Sequence, residues 1–189
     1  MRVKIFVLLC LTAIMQFTGV TPLKASHYYY KQLSLKDGVT SAVRCILTDK
    51  QGFVWIGTKA GISRYDGHEL KKYVHSPNNP HSIPNNLIHQ IAEDEMSNIW
   101  ILTDKGIARY QRQSDDFFLP TDEKGNPIIA YSTCLTKDGV LFGSKDKVYF
   151  YSYRDSSLRL LQKLNKGNNF NISLLSLWNE HTVLCCSRW

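Results

Sequence analysis

A gapless internal repeat constrains this chain more than any other feature. Val43-Arg-Cys-Ile-Leu-Thr-Asp-Lys-Gln-Gly-Phe-Val-Trp-Ile-Gly-Thr-Lys-Ala-Gly-Ile-Ser-Arg-Tyr65 recurs as Ile88-His-Gln-Ile-Ala-Glu-Asp-Glu-Met-Ser-Asn-Ile-Trp-Ile-Leu-Thr-Asp-Lys-Gly-Ile-Ala-Arg-Tyr110. Asp49 matches Asp94, Trp55 matches Trp100, Gly61 matches Gly106 and Tyr65 matches Tyr110, every match displaced by 45 residues. A fainter third copy runs from Tyr131 through Gly143-Ser144 to Tyr151, and a fourth begins near Leu174, with Val183–Ser187 set against Val54–Thr58. Leu102 stands where the first copy has Gly57, and the third copy lacks the tryptophan. Fixed periods of this size signal an array of stacked units rather than one irregular domain.

Each copy is a succession of short runs rich in Val, Ile, Trp, Tyr and Phe, separated by turn residues. In the first copy the pattern predicts strands near Val43–Leu47, Phe53–Gly57, Ile62–Tyr65 and Glu69–Val74. Asp49 is suited to accept hydrogen bonds from amides of its own turn, Gly52 and Gly61 to close turns, and Asp66-Gly67 to close a two-residue hairpin. Four antiparallel strands in about 40–45 residues make a propeller blade. The fold class expected is therefore all-β, a partial propeller of about three and a half blades, near 43–75, 87–120, 129–164 and 172–189. Trp55 and Trp100 are read as groups that fill the space between stacked sheets, and Gly57 as the small residue where sheets approach closely. The competing reading makes the tryptophans sugar-stacking platforms, but recurrence at one phase favours packing. Three units and part of a fourth do not close a ring of the usual size, so residues 26–189 alone are expected to leave an apolar face uncovered and to be marginally stable.

Upstream of the repeats, Arg2 and Lys4 precede an uncharged stretch from Ile5 to Val20, followed by Pro22 and the small pair Ala25-Ser26. That succession reads as an export signal over residues 1–25, cleaved after Ala25, with polar breaks at Thr12, Gln16 and Thr18 arguing against the alternative of a retained membrane anchor. Residues 26–42 are expected to form an N-terminal strand and lead-in. Removing Arg2, Lys4 and Lys24 lowers the formal charge from +7 to +4. The surplus is spread between acids rather than gathered on one face, so no nucleic-acid partner is expected. Cys45, Cys134, Cys185 and Cys186 lack metal-ligand spacing, and the adjacent pair is read as small buried side chains. The six histidines share neither repeat phase nor metal spacing. Asp115-Asp116 and Glu93-Asp94-Glu95 are read as solvated turn carboxylates. With no phosphate loop, no His-Glu-x-x-His and no kinase layout, the chain is expected to hold no catalytic site, no metal and no cofactor.

Together, the Asp49-x-x-Gly52-x-x-Trp55-Ile-Gly-Thr58-x-x-Gly61-Ile-x-Arg64-Tyr-Asp-Gly67 pattern, the His81-Ser-Ile-Pro-Asn-Asn-Leu-Ile88 stretch and the Asp94–Tyr110 copy resemble the two-component regulator propeller repeats. Leu33-Ser-Leu-Lys-Asp-Gly-Val-Thr-Ser41 is similar to that family's opening. The resemblance implies the periplasmic sensor of a hybrid two-component regulator, used by bacteria that forage polysaccharides. Its implied parts are two propellers, a small β-sandwich, a membrane helix, a histidine kinase, a receiver and a helix-turn-helix domain. It further implies an oligosaccharide ligand outside the inner membrane, a homodimeric parent, and phosphorelay and transcription control inside the cell. The alternative is a free-standing exported propeller, either a polysaccharide-active enzyme or a protein-binding scaffold. Under the sensor reading, the ligand is expected at exposed loops: Lys59, Asn78, Asn79, Asp104 and Lys105. Asp49, Gly52, Trp55, Gly57, Gly61, Tyr65, Asp94, Trp100, Gly106 and Tyr110 then form the structural motif.

Overall fold

The computed structural model describes residues 32, 42–164, 171–179 and 182–188. The expected export signal, and all of the 26–42 segment but Gln32 and Ala42, lie outside them. Three antiparallel four-stranded sheets follow one another in strict sequence order. The first holds β1 (Val43–Thr48), β2 (Val54–Thr58), β3 (Gly61–Tyr65) and β4 (Leu70–Tyr73). The second holds β5 (Ile88–Glu93), β6 (Ile99–Thr103), β7 (Gly106–Gln111) and β8 (Asp116–Phe118), and the third β9 (Ser132–Leu135), β10 (Gly139–Gly143), β11 (Lys147–Ser152) and β12 (Leu158–Lys163). A two-stranded sheet of β13 (Asn171–Asn179) and β14 (Thr182–Arg188) comes last. β1 packs beside β5, and β9 beside β13, so the first strands of successive sheets adjoin. This is the arrangement of a partial β-propeller.

Strand periodicity explains the stacking. Successive side chains of a strand point to opposite faces, and β6 is buried along its whole length. Its Ile99 and Ile101 join Trp55, Ile62 and Tyr73 of the first sheet in one core. Its Trp100 and Leu102 join Val140, Phe142, Tyr149 and Tyr151 of the third in another. A third core gathers Cys134, Leu141 and Val148 with Ile172 and Leu175 of the last sheet. Leu141 thus stands where the first two copies carry tryptophan. The faces pointing away from the stack expose Ile46 and Val43 at one end and Leu174, Leu177 and Leu184 at the other.

The departure at Leu102 is a volume exchange. A Cβ on Gly57 would lie 2.8 Å from Ile88 Cγ2 of the second sheet, and one on Gly143 would lie 2.7 Å from Ile172 Cγ2 of the fourth. At the intervening junction the large side chain is on the other partner. Leu102 replaces the glycine, and Ala130 takes the place that Ile88 and Ile172 hold elsewhere, both residues fully buried in the same core. Dense interiors tolerate such paired exchanges because total volume is kept.

Three expectations need correction. Asp66-Gly67 is not the central pair of the β3–β4 hairpin: the Asp66 amide donates to the Glu69 carbonyl at 3.3 Å, so the chain reverses at Gly67-His68, and the Asp66 carboxylate accepts from the amides of His68 and Glu69. Cys185 and Cys186 are not both buried, since neighbours on a strand alternate: Cys185 is half-buried and Cys186 exposed. The acids near the turns are not simply solvated. Asp94 is 1% exposed, and Asp115 is enclosed by groups from the neighbouring sheet, as described next.

Candidate functional site

Chain reversals place the polar residues at two opposite ends of the stacked sheets. At the hairpin end, Thr58 and Thr103 turn their hydroxyls onto the carbonyls of Gly61 and Gly106, at 2.9 and 2.7 Å, which closes the β2–β3 and β6–β7 hairpins in the same way. Lys59 projects from the first of these hairpins and Asp104 with Lys105 from the second, all three exposed. His89 at the start of β5 meets Asp104 Oδ1 at 3.1 Å, and its ring lies 6.2 Å from that of Tyr131. The linker between β4 and β5 joins the same end: the Asn86 carbonyl accepts from the Gly61 amide at 2.8 Å.

Within that linker, Asn79 shapes the loop. Its side chain accepts from the His81 amide at 2.9 Å and its carbonyl from the Ser82 amide at 3.1 Å. The Phe117 amide then donates to the His81 carbonyl at 3.0 Å, which draws this part of the loop against β8. Asn78 and Asn79 are therefore exposed on a stretch of the linker held to an outer strand. The structure brings Lys59, Asp104 and Lys105 to the ends of matching hairpins, and sets the two asparagines apart from them on the linker.

At the opposite, turn end, each tryptophan is bound to its own repeat. Asp49 Oδ1 accepts from the amides of Gln51 and Phe53, while Oδ2 accepts from the Trp55 indole at 3.0 Å. Asp94 Oδ2 accepts from the Trp100 indole at 2.8 Å. Both indoles are fully buried and meet a tyrosine of the next sheet edge-on, Tyr110 and Tyr151, each with ring centroids 4.8 Å apart. Arg112 reaches back from the second sheet to Asp49 Oδ2 at 3.0 Å and to Gln51 Oε1 at 2.9 Å. Burial pushes Asp49 upward, but the Trp55 indole and Arg112 outweigh it and hold its carboxyl below the usual range. Gly52, at φ 88°, and Ser97, at φ 61°, occupy the same left-handed position of the two turns.

Sequence reasoning missed a cluster around Asp115, because it joins residues 42 to 51 positions apart. Asp115 Oδ1 accepts from Tyr110 Oη at 2.5 Å, Tyr73 Oη at 2.6 Å and Arg64 Nη1 at 3.3 Å, and Oδ2 accepts from Lys71 Nζ. Arg64 also donates to Tyr110 Oη. Burial alone would raise Asp115, yet hydrogen bonds from Lys71, Tyr110 and Tyr73 hold it at about 2. Burial, then the Asp115 carboxylate, push the phenol of Tyr73 well up. The cluster ties the outer strands of the first sheet to the β7–β8 turn of the second. Beside it, Gln51, Asn98, Gln111, Arg112, Gln113 and Ser114 border an open groove of about 530 Å³, whose wall also includes Arg109. Among the described residues no group of three His, Cys, Asp or Glu side chains is placed to hold a metal ion.

Comparisons with known proteins fit this geometry. Residues 37–60 match the repeat described as "Two component regulator propeller". Histidine kinase P4 of Formosa agariphila is 37% identical over 59 residues, a stretch that is 31% of this chain and 4% of that protein. Two solved structures from B. thetaiotaomicron share the fold. The extracellular domain assigned to the hybrid two component system BT3049 superposes with a TM-score of 0.69 at 16% identity, covering 82% of this chain and 23% of that one. The extracellular domain assigned to the one component system BT4673 gives 0.65 at 19% identity, covering 86% and 25%. The chain thus spans about a quarter or less of the length of the relatives it matches, and it carries a two-component regulator propeller repeat.

Proposed function

We propose that this propeller segment belongs to the extracellular sensor of a two-component histidine kinase system and takes part in recognising an oligosaccharide. The observation that carries the reading is the coincidence of the matched repeat at residues 37–60 with sheets stacked as in the two extracellular domains. In this reading the chain is exported to the periplasm and its parent is anchored in the inner membrane as a homodimer. The repeated groups of the turn end, Asp49 with Trp55 and Asp94 with Trp100, are given a packing role in this reading, since each acid already accepts from an indole and from amides of its own turn. Phosphoryl transfer and transcription control then belong to other domains of the parent.

Ligand contact is assigned to the hairpin end, where Lys59, Asp104 and Lys105 present charged groups on short, well-braced hairpins. Such sites combine a rigid scaffold with exposed loops. Asn78 and Asn79 extend the candidate surface along the linker. The test is calorimetric titration of the full chain with a panel of plant and algal oligosaccharides, beside a variant carrying Lys59→Ala, Asp104→Ala and Lys105→Ala together. Binding of one glycan class, weakened about tenfold or more by the triple change, supports the placement, since lost hydrogen bonds to charged groups are worth about 1.5–3 kcal/mol each. Unchanged affinity in the variant dismisses it, and silence across the panel removes the oligosaccharide reading itself.

A further inference from the structure

The two complete sheet junctions differ at one chemically informative place. At the first, Arg64 and Tyr110 Oη converge on the carboxylate of Asp115, with Tyr73 and Lys71 completing its donors. At the second, the matching Arg109 donates to Tyr151 Oη at 2.6 Å, but its ion pair is absent among the described residues. The strand registers show what was exchanged. Lys71 pairs with Arg64, whereas Phe118 pairs with Arg109. Two positions further along, Pro120 stands where the first sheet has Tyr73. Asp115 lies five residues after Tyr110 at φ 56°, and the residue five after Tyr151 is Ser156, at φ 52°. The turn backbone is therefore kept while its carboxylate is not. Asp155, the neighbouring acid, is engaged by Ser152 and Ser157.

We infer that the second junction holds a binding site for an external carboxylate, and, resting on the oligosaccharide reading above, that the ligand is a uronate-bearing saccharide. The Arg109 guanidinium lies 5.1 Å from the ring of Phe118, a side chain 39% exposed, and 5.6 Å from that of Tyr151. A partly enclosed guanidinium engaged by one phenol and aromatic faces keeps unused N–H donors, and a planar carboxylate matches them two at a time. Tyr151 Oη accepts from Arg109 and has its own proton to donate, as Tyr110 Oη donates to Asp115. The exposed Phe118 ring gives the apolar face of a sugar ring a surface to lie on. A uronate carries both features, a carboxylate on a pyranose with one C–H face. The site is at the turn end, away from Lys59, Asp104 and Lys105.

The experiment titrates the full chain with an oligogalacturonate, with its carboxyl-reduced neutral counterpart, and with a short neutral peptide ending in a free carboxylate. The expected result is binding of the oligogalacturonate, at least tenfold weaker binding of the neutral sugar, and a similar loss in Arg109→Gln, because a bidentate charged contact is removed. Since Arg109 also packs against rings, Ser156→Asp gives a second reading. It rebuilds the first junction's carboxylate at a backbone conformation that aspartate tolerates, so it is expected to raise Tm and abolish uronate binding. Uronate binding unaffected by both changes, or Ser156→Asp that neither stabilises nor competes, overturns the site while leaving the oligosaccharide reading intact. Equal binding of the neutral sugar overturns the carboxylate inference alone. Binding of the peptide without the uronate overturns the choice of ligand and counts against the oligosaccharide reading on which it rests, while the sensor reading, carried by the matched repeat, is unaffected.

Discussion

The junction between the first and second sheets and that between the second and third use the same three parts, a tryptophan, an arginine and a tyrosine, yet only in the first do the arginine and the tyrosine close on a carboxylate, that of Asp115. In both, the indole is held by an aspartate of its own turn and meets the next sheet's tyrosine at 4.8 Å. In both, the arginine two residues past the repeated glycine-isoleucine pair reaches that tyrosine's hydroxyl. The difference teaches which parts of the repeat are under packing constraint. The tryptophan and its aspartate cannot vary independently, because a buried indole N–H needs an acceptor and a buried carboxylate needs donors. The outer acid is less constrained, because Asp115 itself and two of its donors, Arg64 and Lys71, keep part of their side chains in solvent.

The comparison breaks first at the tryptophans. Trp55→Ala and Trp100→Ala should each cost about 3–5 kcal/mol in denaturant unfolding, by loss of burial and creation of a cavity. Costs that differ by several kcal/mol would show that the two indoles do not share a role. The volume exchange gives the next effect. Leu102→Ala should cost about 2–5 kcal/mol, and Gly57→Ala about 1–3 kcal/mol, since its new Cβ would sit 2.8 Å from Ile88 Cγ2 and 2.5 Å from Cys45 Sγ. A Gly57→Ala protein as stable as the parent would reject the close approach of the sheets.

The acids then sharpen the contrast. Asp115→Asn should lower stability at neutral pH by about 1–2 kcal/mol, while Ser156→Ala should stay within about 0.5 kcal/mol of the parent. Asp115 is depressed to about 2 in the folded chain from an unfolded value of about 3.9. Its contribution is therefore present above pH about 4 and lost as pH falls through about 2. Chemical denaturation measured between those limits should decline less steeply in Asp115→Asn than in the parent. The smallest effect is a gain. Ser97 holds at φ 61° the position Gly52 fills at φ 88°, so Ser97→Gly should raise stability by about 0.5–1 kcal/mol through relief of the left-handed strain, readable as a small rise in Tm.

Much of the fold was legible because a repeat makes each copy a check on the others. The spacing of Asp49, Gly61 and Tyr65 and its return 45 residues later reveals short strands and turns that no single copy would establish. Strand ends fell within a residue or two of the expected places, as with β2 at Val54–Thr58. What was not legible depends on contacts between copies. Nothing local to Leu102 announces that Ala130, in the next unit, makes room for it. Nothing local to Asp115 announces that Tyr73 and Arg64 of the preceding sheet close on it, and turn chemistry alone made it look like a solvated acid. The exposed hairpin residues Lys59, Asp104 and Lys105 could be named from turn signals, whereas Arg109 becomes informative only when its surroundings are set beside those of Arg64.

The central claim is that successive repeats are stacked sheets whose shared tryptophans serve the junctions. Its most direct test is NMR of the full chain, following the indole N–H signals of Trp55 and Trp100. The account predicts that both exchange slowly with solvent and that their rings show cross-relaxation to Tyr110 and Tyr151 respectively. Free exchange of either indole, or the absence of those ring contacts, would contradict it.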